Sequence, residues 1–149
     1  MRFVIQNVLE ASVRVDDRIT GQIGPGLLVL VGVGPEDDKA VADKMLKKLL
    51  NMRIFKDEND KTNLSVIDIE GSVLLVSQFT LYADCRRGNR PSFVNAAPPQ
   101  MAEELYEYLL AECSKVIPNT AGGEFGADMK VSLINNGPFT VVLDSADLK

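Results

Sequence analysis

Histidine is absent from the 149 residues of this chain, and that absence excludes several kinds of active site. A Ser-His-Asp or Cys-His nucleophile needs an imidazole base, which this chain does not supply. A typical zinc site lacks its ligands, because the only two cysteines, Cys85 and Cys113, lie far apart in the sequence. The acids show no clustered pattern that would hold magnesium. We therefore predict that any hydrolysis by this chain uses no metal, no other cofactor and no imidazole base.

Tryptophan is also absent, aromatic residues make up only 6% of the chain, and no long apolar run occurs. The core must therefore consist mostly of Val, Leu and Ile. Met1 is not followed by a charged-then-apolar leader, and no segment is long and apolar enough to cross a bilayer. We expect a soluble cytoplasmic protein without a membrane partner, in which Cys85 and Cys113 are free thiols.

Basic residues are outnumbered by acidic ones, 16 to 21, which gives a net charge of −5 and a pI of about 4.8. This balance argues against a protein that coats nucleic acid nonspecifically. A local basic surface is still possible in the loop at residues 85–93, where Arg86, Arg87 and Arg90 lie close together in sequence.

The first half of the chain predicts four strands and one helix. Alternating and continuous apolar segments favour strands over residues 2–8, 12–15, 18–23 and 27–33. A helix is predicted over residues 36–52, because acids at its start and lysines further on suit the helix dipole. Its first turn contains three acids: Glu36, Asp37 and Asp38. Its buried face repeats at helical spacing: Val41, Met45, Leu49 and Met52.

The second half predicts a central strand, a second helix and a terminal pair of strands. Residues 62–69 are expected to be extended, and residues 73–76 form an apolar strand at the centre of the fold. The second helix begins at Pro98 and Pro99, since proline is tolerated in a first helical turn. Its predicted buried face is Met101, Leu105, Tyr108 and Leu109. Strands over residues 129–134 and 139–143 are joined through residues 135–138.

Strands outnumber helices and hairpins lie at both ends, which predicts an α/β fold. We expect two packed sheets, mainly antiparallel or mixed, with two helices on one side. No repeat, low-complexity tract or linker divides the sequence. Residues 1–149 are therefore expected to form a single domain.

The central strand ends in Ser77, Gln78, Phe79 and Thr80, with no Gly or Pro between them. Polar side chains at the end of a buried strand must find hydrogen-bond partners or cost free energy. For an arbitrary segment of this kind, simple satisfaction of strand-end polar groups is the favoured interpretation. The basic loop and residues 135–140 near the C-terminus favour a functional one.

Three motifs together closely resemble the D-aminoacyl-tRNA deacylase family, the chiral proofreading enzymes once called D-tyrosyl-tRNA deacylases. They are Ser-Gln-Phe-Thr-Leu at residues 77–81, Arg-Pro-Ser-Phe at residues 90–93, and Asn-Asn-Gly-Pro-Phe-Thr at residues 135–140. The first motif is weak by itself, but the combination is specific. The likeness covers nearly the whole chain and includes Val13, residues 26–29, residues 53–55 and residues 125–129.

The resemblance implies hydrolysis of the ester between a D-amino acid, or glycine, and the 3′-terminal adenosine of tRNA. It implies a three-layer β/β/α architecture and a homodimer with active sites at the subunit interface. Gly137 and Pro138 of one subunit would reach into the partner's site, where their main chain captures the substrate amino group and excludes an L side chain. From the sequence alone an ordinary trans turn is favoured, since only about 6% of X–Pro bonds in folded proteins are cis. The resemblance implies a cis bond instead.

Thr80 is the obvious hydroxyl nucleophile, yet no histidine is present to activate it. The resemblance implies that the ribose 2′-hydroxyl of the substrate activates or positions water. We expect the Phe79 and Thr80 amides to stabilise the oxyanion, while Ser77 and Gln78 hold the strand end in shape. For Phe125 and Met129, contact with the terminal adenine and an ordinary core role both remain open.

Two positions depart from the common family form, and two other functions compete. Asn7 stands where Arg is frequent, and Phe139 stands where Val is frequent; both bear on how the Gly-Pro loop excludes an L side chain.

A dimeric RNA-binding module without catalysis would use the arginines alone, but no aromatic-rich RNA-recognition motif supports it. A small-molecule ester or amide hydrolase would leave the arginines without a role.

Overall fold

The computed structural model describes residues 1–149. Its eight strands are β1 (Arg2–Val15), β2 (Arg18–Ile23), β3 (Gly26–Gly32), β4 (Phe55–Lys56), β5 (Thr62–Leu64), β6 (Ser72–Ser77), β7 (Thr120–Gly122) and β8 (Lys130–Asp144). Its two α-helices are α1 (Lys39–Asn51) and α2 (Pro99–Ser114), and two short 3₁₀ helices span Phe79–Tyr82 and Ser145–Asp147. The predicted α/β class with two α-helices is confirmed.

Six strands form one mixed sheet. Its order is β2-β1-β3-β6-β7, and β8 pairs along β1. β1 is antiparallel to β2, β3 and β8, whereas β3, β6 and β7 run parallel to one another. The short strands β4 and β5 form a separate two-stranded sheet.

Strands β3 and β6 are buried on both faces, which explains why both read as continuous apolar runs. On one face, Val29 and Leu75 pack with the residues of α1 and α2 in the larger core, here called the helix-side core. On the other face, Leu28 and Leu74 pack against Val13 and its neighbours in a smaller core, here called the inter-strand core. The two packed sheets expected from the sequence are therefore two parts of one continuous sheet, and both helices cover the same side.

Two predicted strand pairs are single strands in the structure. Residues 2–8 and 12–15 belong to β1, and residues 129–134 and 139–143 belong to β8. The two strands pair with each other on both sides of the residues between the predicted segments, so each forms one element despite irregularities in the register. The predicted strand over residues 62–69 is shorter, because Ser65 and Asp68 hydrogen-bond each other's main chain and form a turn.

Helix α1 begins later than predicted, so the acids Glu36, Asp37 and Asp38 precede it. The Asp38 side chain caps the helix by accepting a hydrogen bond from the Val41 amide at 2.9 Å. Asp37 accepts from the amino group of Met1 at 2.7 Å. Short acidic side chains compete for local backbone donors, and here that competition places the helix boundary after them.

Helix α2 buries Tyr106 and leaves Tyr108 partly exposed, so the predicted buried tyrosine was wrong. Leu105 and Leu109 are buried as predicted, and Met101 is partly buried. The hydroxyl of Tyr108 instead donates to Asp43 of α1 at 2.6 Å. Tyr106 lies on the buried stripe with Ala102, Leu105, Leu109 and Cys113, whereas Tyr108 lies at its edge.

None of the helices is long and apolar enough to cross a membrane. Cys85 is exposed, Cys113 is buried, and the two are not joined. The prediction of free thiols is confirmed.

Candidate active site

The end of β6 turns directly into a short 3₁₀ helix. The Gln78 amide donates to the Val31 carbonyl at 2.7 Å, which extends the β3–β6 ladder by one step. The Gln78 side-chain amide then donates to the Thr80 hydroxyl. Ser77, Gln78 and Thr80 are partly buried and Phe79 is exposed. The predicted catalytic residues thus lie together on one tight turn, with the Thr80 hydroxyl already occupied by Gln78.

Arg2 holds the far end of this 3₁₀ helix. Its Nη1 donates to the Leu81 carbonyl at 3.0 Å, and its guanidinium lies 4.5 Å from the centre of the Tyr82 ring. Burial of Tyr82 raises the pKa of its hydroxyl to about 12. The phenol is therefore neutral at physiological pH. Its uncharged ring supports the turn through a cation–π contact with the Arg2 guanidinium.

A cavity of about 530 Å³ opens beside the strand end. One wall comes from residues 76–79, and the opposite wall comes from residues 125–129 and Val131. The remaining lining comes from Phe93, Ala96 and Ala97, which precede α2, and from Pro99 and Ala102 of α2. Ten of its 15 lining residues are hydrophobic, which suits an aromatic or aliphatic part of a ligand with a few polar groups at one end.

The cavity brings together only some of the predicted site residues. Ser77, Gln78 and Phe79 face it together with Phe125 and Met129. Thr80 does not line it, and neither do Gly137, Pro138 or the three arginines. Within one chain, the Gly137–Pro138 loop and the strand end therefore do not line the same cavity.

Phe93 was missed as a cavity residue, although the sequence carries it in the Arg-Pro-Ser-Phe motif. Its ring meets that of Phe79 edge to face, with centroids 5.1 Å apart. Phe79 is 55% exposed and Phe93 is 38% exposed. Two aromatic rings that stay exposed at the mouth of a cavity are more typical of a binding surface than of a core.

Phe125 and Met129 pack against the core and also face the cavity. Each is partly buried, Phe125 against the helix-side core and Met129 against the inter-strand core. Each also contributes to the cavity lining. The Phe125 ring lies 6.3 Å from that of Tyr106 in a tilted arrangement. Packing against the core therefore fixes the surface that they present to the cavity.

Gly137 and Pro138 lie in a wide irregularity of the β1–β8 ladder. Gln6 pairs with Thr140 and Val8 pairs with Asn135, so residues 136–139 stand opposite Asn7 alone. The Gly137–Pro138 bond is cis, and Gly137 has a φ of +145° that L side chains rarely adopt. Residues 136–138 are exposed and project from the strand.

Asn135 fixes the base of this loop, a role that sequence reasoning missed. Its side chain accepts from the Phe139 amide at 2.7 Å. It donates to the Gln6 side chain at 2.9 Å and to the Thr140 hydroxyl at 3.0 Å. The spacing of Asn135 and Thr140 on either side of Gly-Pro was the available signal, since Asn and Thr side chains often close irregular backbone.

Asn7, the first departure from the common family form, does not contact the Gly137–Pro138 loop by a side-chain hydrogen bond. It is buried, and its amide donates to the Ile54 carbonyl at 2.8 Å. Phe139, the second departure, packs its partly buried side chain against the helix-side core. In this chain the loop is held by Asn135 and by Phe139, not by residue 7.

The three arginines of the basic loop differ in their surroundings. Arg86 is exposed and pairs with Asp84 through two hydrogen bonds of 2.9 and 2.7 Å. These hydrogen bonds hold the pKa of the Asp84 carboxyl at about 2, so Asp84 is a poor base for Thr80. Arg87 and Arg90 are exposed and belong to none of the ion pairs. They are the freest cations of the loop for binding phosphate.

No group of three or more His, Cys, Asp or Glu side chains is arranged to hold a metal ion. The polar groups that line the cavity are backbone amides, the Ser77 hydroxyl, the Gln78 carboxamide and the exposed Asp128 carboxylate, which pairs with Lys130. The hydrogen-bond donors among these groups can orient a substrate and stabilise a developing oxyanion.

Comparison with known proteins identifies the family. Residues 4–144 match the family model described as D-Tyr-tRNA(Tyr) deacylase. The D-aminoacyl-tRNA deacylase of Thermosipho africanus (strain TCF52B) is 52% identical over 145 residues, which cover 97% of each chain. That of Pseudoalteromonas translucida (strain TAC 125) is 54% identical over 140 residues, which cover 94% of this chain and 97% of that protein.

Two solved structures share the fold. One, described as "c-Myc DNA Unwinding Element Binding Protein", has a TM-score of 0.91 at 39% identity and covers 97% of this chain and 98% of its own. The other, described as a probable eukaryotic D-amino acid tRNA deacylase, has a TM-score of 0.83 at 17% identity over 95% of this chain and 97% of its own, a likeness of fold alone. Near-complete coverage at more than half identity, together with the family match, leaves one conclusion: this chain belongs to the D-Tyr-tRNA(Tyr) deacylase family.

Proposed function

We propose that this chain is a D-aminoacyl-tRNA deacylase, a hydrolase that releases a D-amino acid or glycine from the 3′-terminal adenosine of tRNA. Its family membership and its relatives of nearly equal length support this reaction. The observation that carries the proposal is the cavity between residues 76–79 and residues 125–129, because it joins the Ser-Gln-Phe strand end to an apolar surface. Removal of D-amino acids from tRNA is chiral proofreading in translation quality control.

Hydrolysis at this site proceeds by attack of water on the ester carbonyl carbon. The bond to the ribose 3′ oxygen breaks and that oxygen takes a proton, so the products are a free amino acid and tRNA with a free 3′-hydroxyl. The neighbouring ribose 2′-hydroxyl of the substrate activates or positions the water. The protein contributes orientation and hydrogen-bond donors, which suits a chain without histidine.

The Phe79 and Thr80 amides are the donors that we assign to the oxyanion. They are the first amides of the 3₁₀ helix, and the preceding Gln78 makes no side-chain cap hydrogen bond to them. The Thr80 hydroxyl accepts from Gln78 and has no base beside it, since Asp84 pairs with Arg86. Ser77 and Gln78 hold the turn, and Phe125 and Met129 contact the terminal adenosine.

A homodimer with active sites at the subunit interface completes the proposal. β8 pairs only with β1, so one edge of a 15-residue strand has no partner. Leu9, Ile134 and Val142 are exposed on the β1–β8 pair. A long unpaired edge with apolar residues favours pairing with another chain. In a two-fold dimer, Gly137 and Pro138 of one subunit reach the cavity of its partner.

The experiment that tests the function is a deacylation assay with D-tyrosyl-, L-tyrosyl- and glycyl-tRNA. We expect release of D-tyrosine and glycine and retention of L-tyrosine on the tRNA. Binding of tRNA without release would favour the RNA-binding module, and cleavage of small esters alone would favour a small-molecule hydrolase. Sedimentation velocity on the same preparation tests the dimer separately.

Chelation should leave the reaction intact. Because water is activated through the substrate and not through a metal, exhaustive dialysis against EDTA is expected to leave the deacylation rate within about twofold of its starting value. A loss of activity that one added metal ion restores would contradict this mechanism.

Arg87 and Arg90 should contribute more to tRNA binding than Arg86. Each phosphate contact releases counterions, so loss of one contact should lower the slope of log affinity against log salt by about 0.7–0.9. We expect that change for Arg87→Ala and for Arg90→Ala. Arg86→Ala is the matched control within the same loop, and its slope should change much less because Asp84 already pairs with Arg86. Equal slopes for all three variants and wild type would show that the loop does not bind phosphate.

Thr80 should tolerate loss of its hydroxyl. The Thr80→Ala variant keeps the backbone amide, so we expect deacylation to fall by only about tenfold, with Thr80→Ser closer to wild type. Single-turnover rates on D-tyrosyl-tRNA provide the measurement. Complete loss of turnover in Thr80→Ala, or an acyl-enzyme trapped on Thr80, would identify the hydroxyl as a nucleophile instead.

A further inference from the structure

The two walls of the cavity come from elements that are neighbours in the sheet. β6 leads into residues 76–79, and β7 leads into residues 125–129. β6 and β7 are parallel and pair through three positions, ending at Leu75 with Gly122. Beyond that point the strands separate and the cavity opens. What separates them therefore sets the width of the site.

A single buried hydroxyl lies at this point of separation. Tyr106 of α2 is only 1% exposed. Its hydroxyl donates to the Leu75 carbonyl at 2.7 Å and accepts from the Gly123 amide at 3.0 Å. Leu75 is two residues before Ser77, and Gly123 is two residues before Phe125, so the hydroxyl is bonded to the base of each wall.

The hydroxyl takes part in the last step of the ladder. Leu75 and Gly122 are the last paired residues, and in a parallel ladder of this register the Gly123 amide faces the Leu75 carbonyl. Here Gly123 donates to Tyr106, which donates to Leu75. The Tyr106 hydroxyl thus bridges the two groups at the point where the pairing of β6 with β7 ends.

The neighbouring residues are shaped to admit this hydroxyl. A Cβ atom at Gly122 would lie 2.8 Å from the Tyr106 oxygen. The Tyr106 ring also lies beside that of Phe125, and Ala102, one turn earlier on α2, lines the cavity itself. Helix, strand and opposite wall thus meet at one side chain.

We propose that Tyr106 is a positioning residue, a wedge whose hydroxyl separates β6 from β7 and so sets the width of the cavity that receives the 3′-terminal adenosine. This inference rests on the proposed function for the identity of the ligand, but the wedge itself does not depend on it. Tyr106 acts through Leu75 and Gly123 and does not touch the reacting atoms.

Tyr106→Phe tests the wedge, and Tyr108→Phe is the matched control. Both variants remove one hydroxyl from the same helix, but the Tyr108 hydroxyl bonds Asp43 on α1, away from the cavity. We expect Tyr106→Phe to raise KM for D-tyrosyl-tRNA by about tenfold or more while kcat changes by less than about threefold, because binding geometry is lost and the reacting groups remain. Tyr108→Phe should leave both parameters near wild type.

An unchanged KM in Tyr106→Phe, or an equal change in both variants, would overturn the proposal. A simple loss of stability lowers the active fraction and thus kcat, but it does not raise KM. If the wild-type protein showed no deacylase activity, that result would contradict the proposed function but would leave the role of Tyr106 between β6 and β7 untouched.

Amide hydrogen exchange on the wild-type protein tests the role of Tyr106 without an activity assay. It therefore applies if the wild-type protein is inactive or if Tyr106→Phe does not fold. The Gly123 amide should exchange as slowly as the amides of β6, because it donates to a buried oxygen. Exchange at the rate of an exposed loop amide would show that the hydroxyl does not hold the two strands.

Discussion

The Gly26→Ala variant is expected to lose about 3 kcal/mol or more of its free energy of unfolding. Gly26 is the first residue of β3 and is buried. It lies between Val8 on one side and Ser72 on the other. A Cβ atom at this position would lie 1.9 Å from the Ser72 carbonyl oxygen. Because that obstacle is backbone, no side-chain rotation relieves it and β3 must move away from β6.

Gly24→Ala is the control for this prediction. Gly24 lies two residues earlier in the same turn, and a Cβ atom there would have no neighbour within 4 Å. Its free energy of unfolding should change by less than about 0.5 kcal/mol. Urea and thermal unfolding followed by circular dichroism should show a melting temperature lowered by about 10 °C for Gly26→Ala. Equal stability of the two variants would mean that the β3–β6 pairing is looser than the structure indicates.

This contrast shows what the sequence could predict about the fold and what it could not. The apolar run of residues 27–33 predicted β3 to within one residue, since a strand buried on both faces needs continuous apolar side chains. Nothing in the sequence distinguished Gly24 from Gly26, because the difference is set by β6, more than 40 residues later. Close approach of distant backbone is a property of the tertiary structure.

The same distinction applies to the helices. The stripe of α2 was predicted at Met101, Leu105, Tyr108 and Leu109, whereas the buried residues of the helix are Ala102, Leu105, Tyr106, Leu109 and Cys113. Both sets have helical spacing and share Leu105 and Leu109, so a period of 3.6 alone did not decide between the two faces. The hydrogen bonds of Tyr106 to Leu75 and Gly123 join the helix to the sheet, and a pattern within the helix sequence does not reveal them.

For the candidate site, the sequence predicted the reacting turn better than its surroundings. Ser77, Gln78 and Phe79 stand out because polar residues follow a buried strand, and they do line the cavity. The opposite wall comes from residues 125–129, which only the family resemblance had marked. For Arg86, adjacency in sequence grouped it with Arg87 and Arg90, and the structure adds an ion pair with Asp84, two residues away.

Replacing Gly137 by Ala is expected to lower kcat/KM by at least about tenfold on both D-tyrosyl-tRNA and glycyl-tRNA. Gly137 has a φ of +145°, and an added Cβ would lie 3.0 Å from the Phe139 amide nitrogen. An L residue at such a φ costs about 1–3 kcal/mol, so the loop relaxes away from its native shape. Asn136→Ala is the control, because Asn136 is the exposed neighbour and its side chain makes no hydrogen bond within the chain.

The substrate pattern identifies what the loop does. Loss on both substrates would show that the loop helps to hold the amino group, whereas new activity on L-tyrosyl-tRNA would show that it excludes the L side chain. Wild-type rates on all three substrates would remove Gly137 from the site. Because the loop is exposed, the stability of Gly137→Ala is expected to fall by no more than about 3 kcal/mol, which circular dichroism can check.

Mixing two defective variants decides whether the loop acts on its own chain or on a partner. Ala127→Trp fills the cavity but leaves the Gly137 loop intact, since Ala127 lines the cavity and Gly137 does not. If each loop serves the partner's cavity, a dimer of one Ala127→Trp and one Gly137→Ala subunit contains one intact site, an unobstructed cavity facing an unaltered loop. Random exchange of subunits should then restore roughly a quarter of wild-type activity, because half of the dimers are mixed and each has one good site of two. If the loop served its own chain, every site in the mixture would carry a defect and activity would stay at the level of the separate variants.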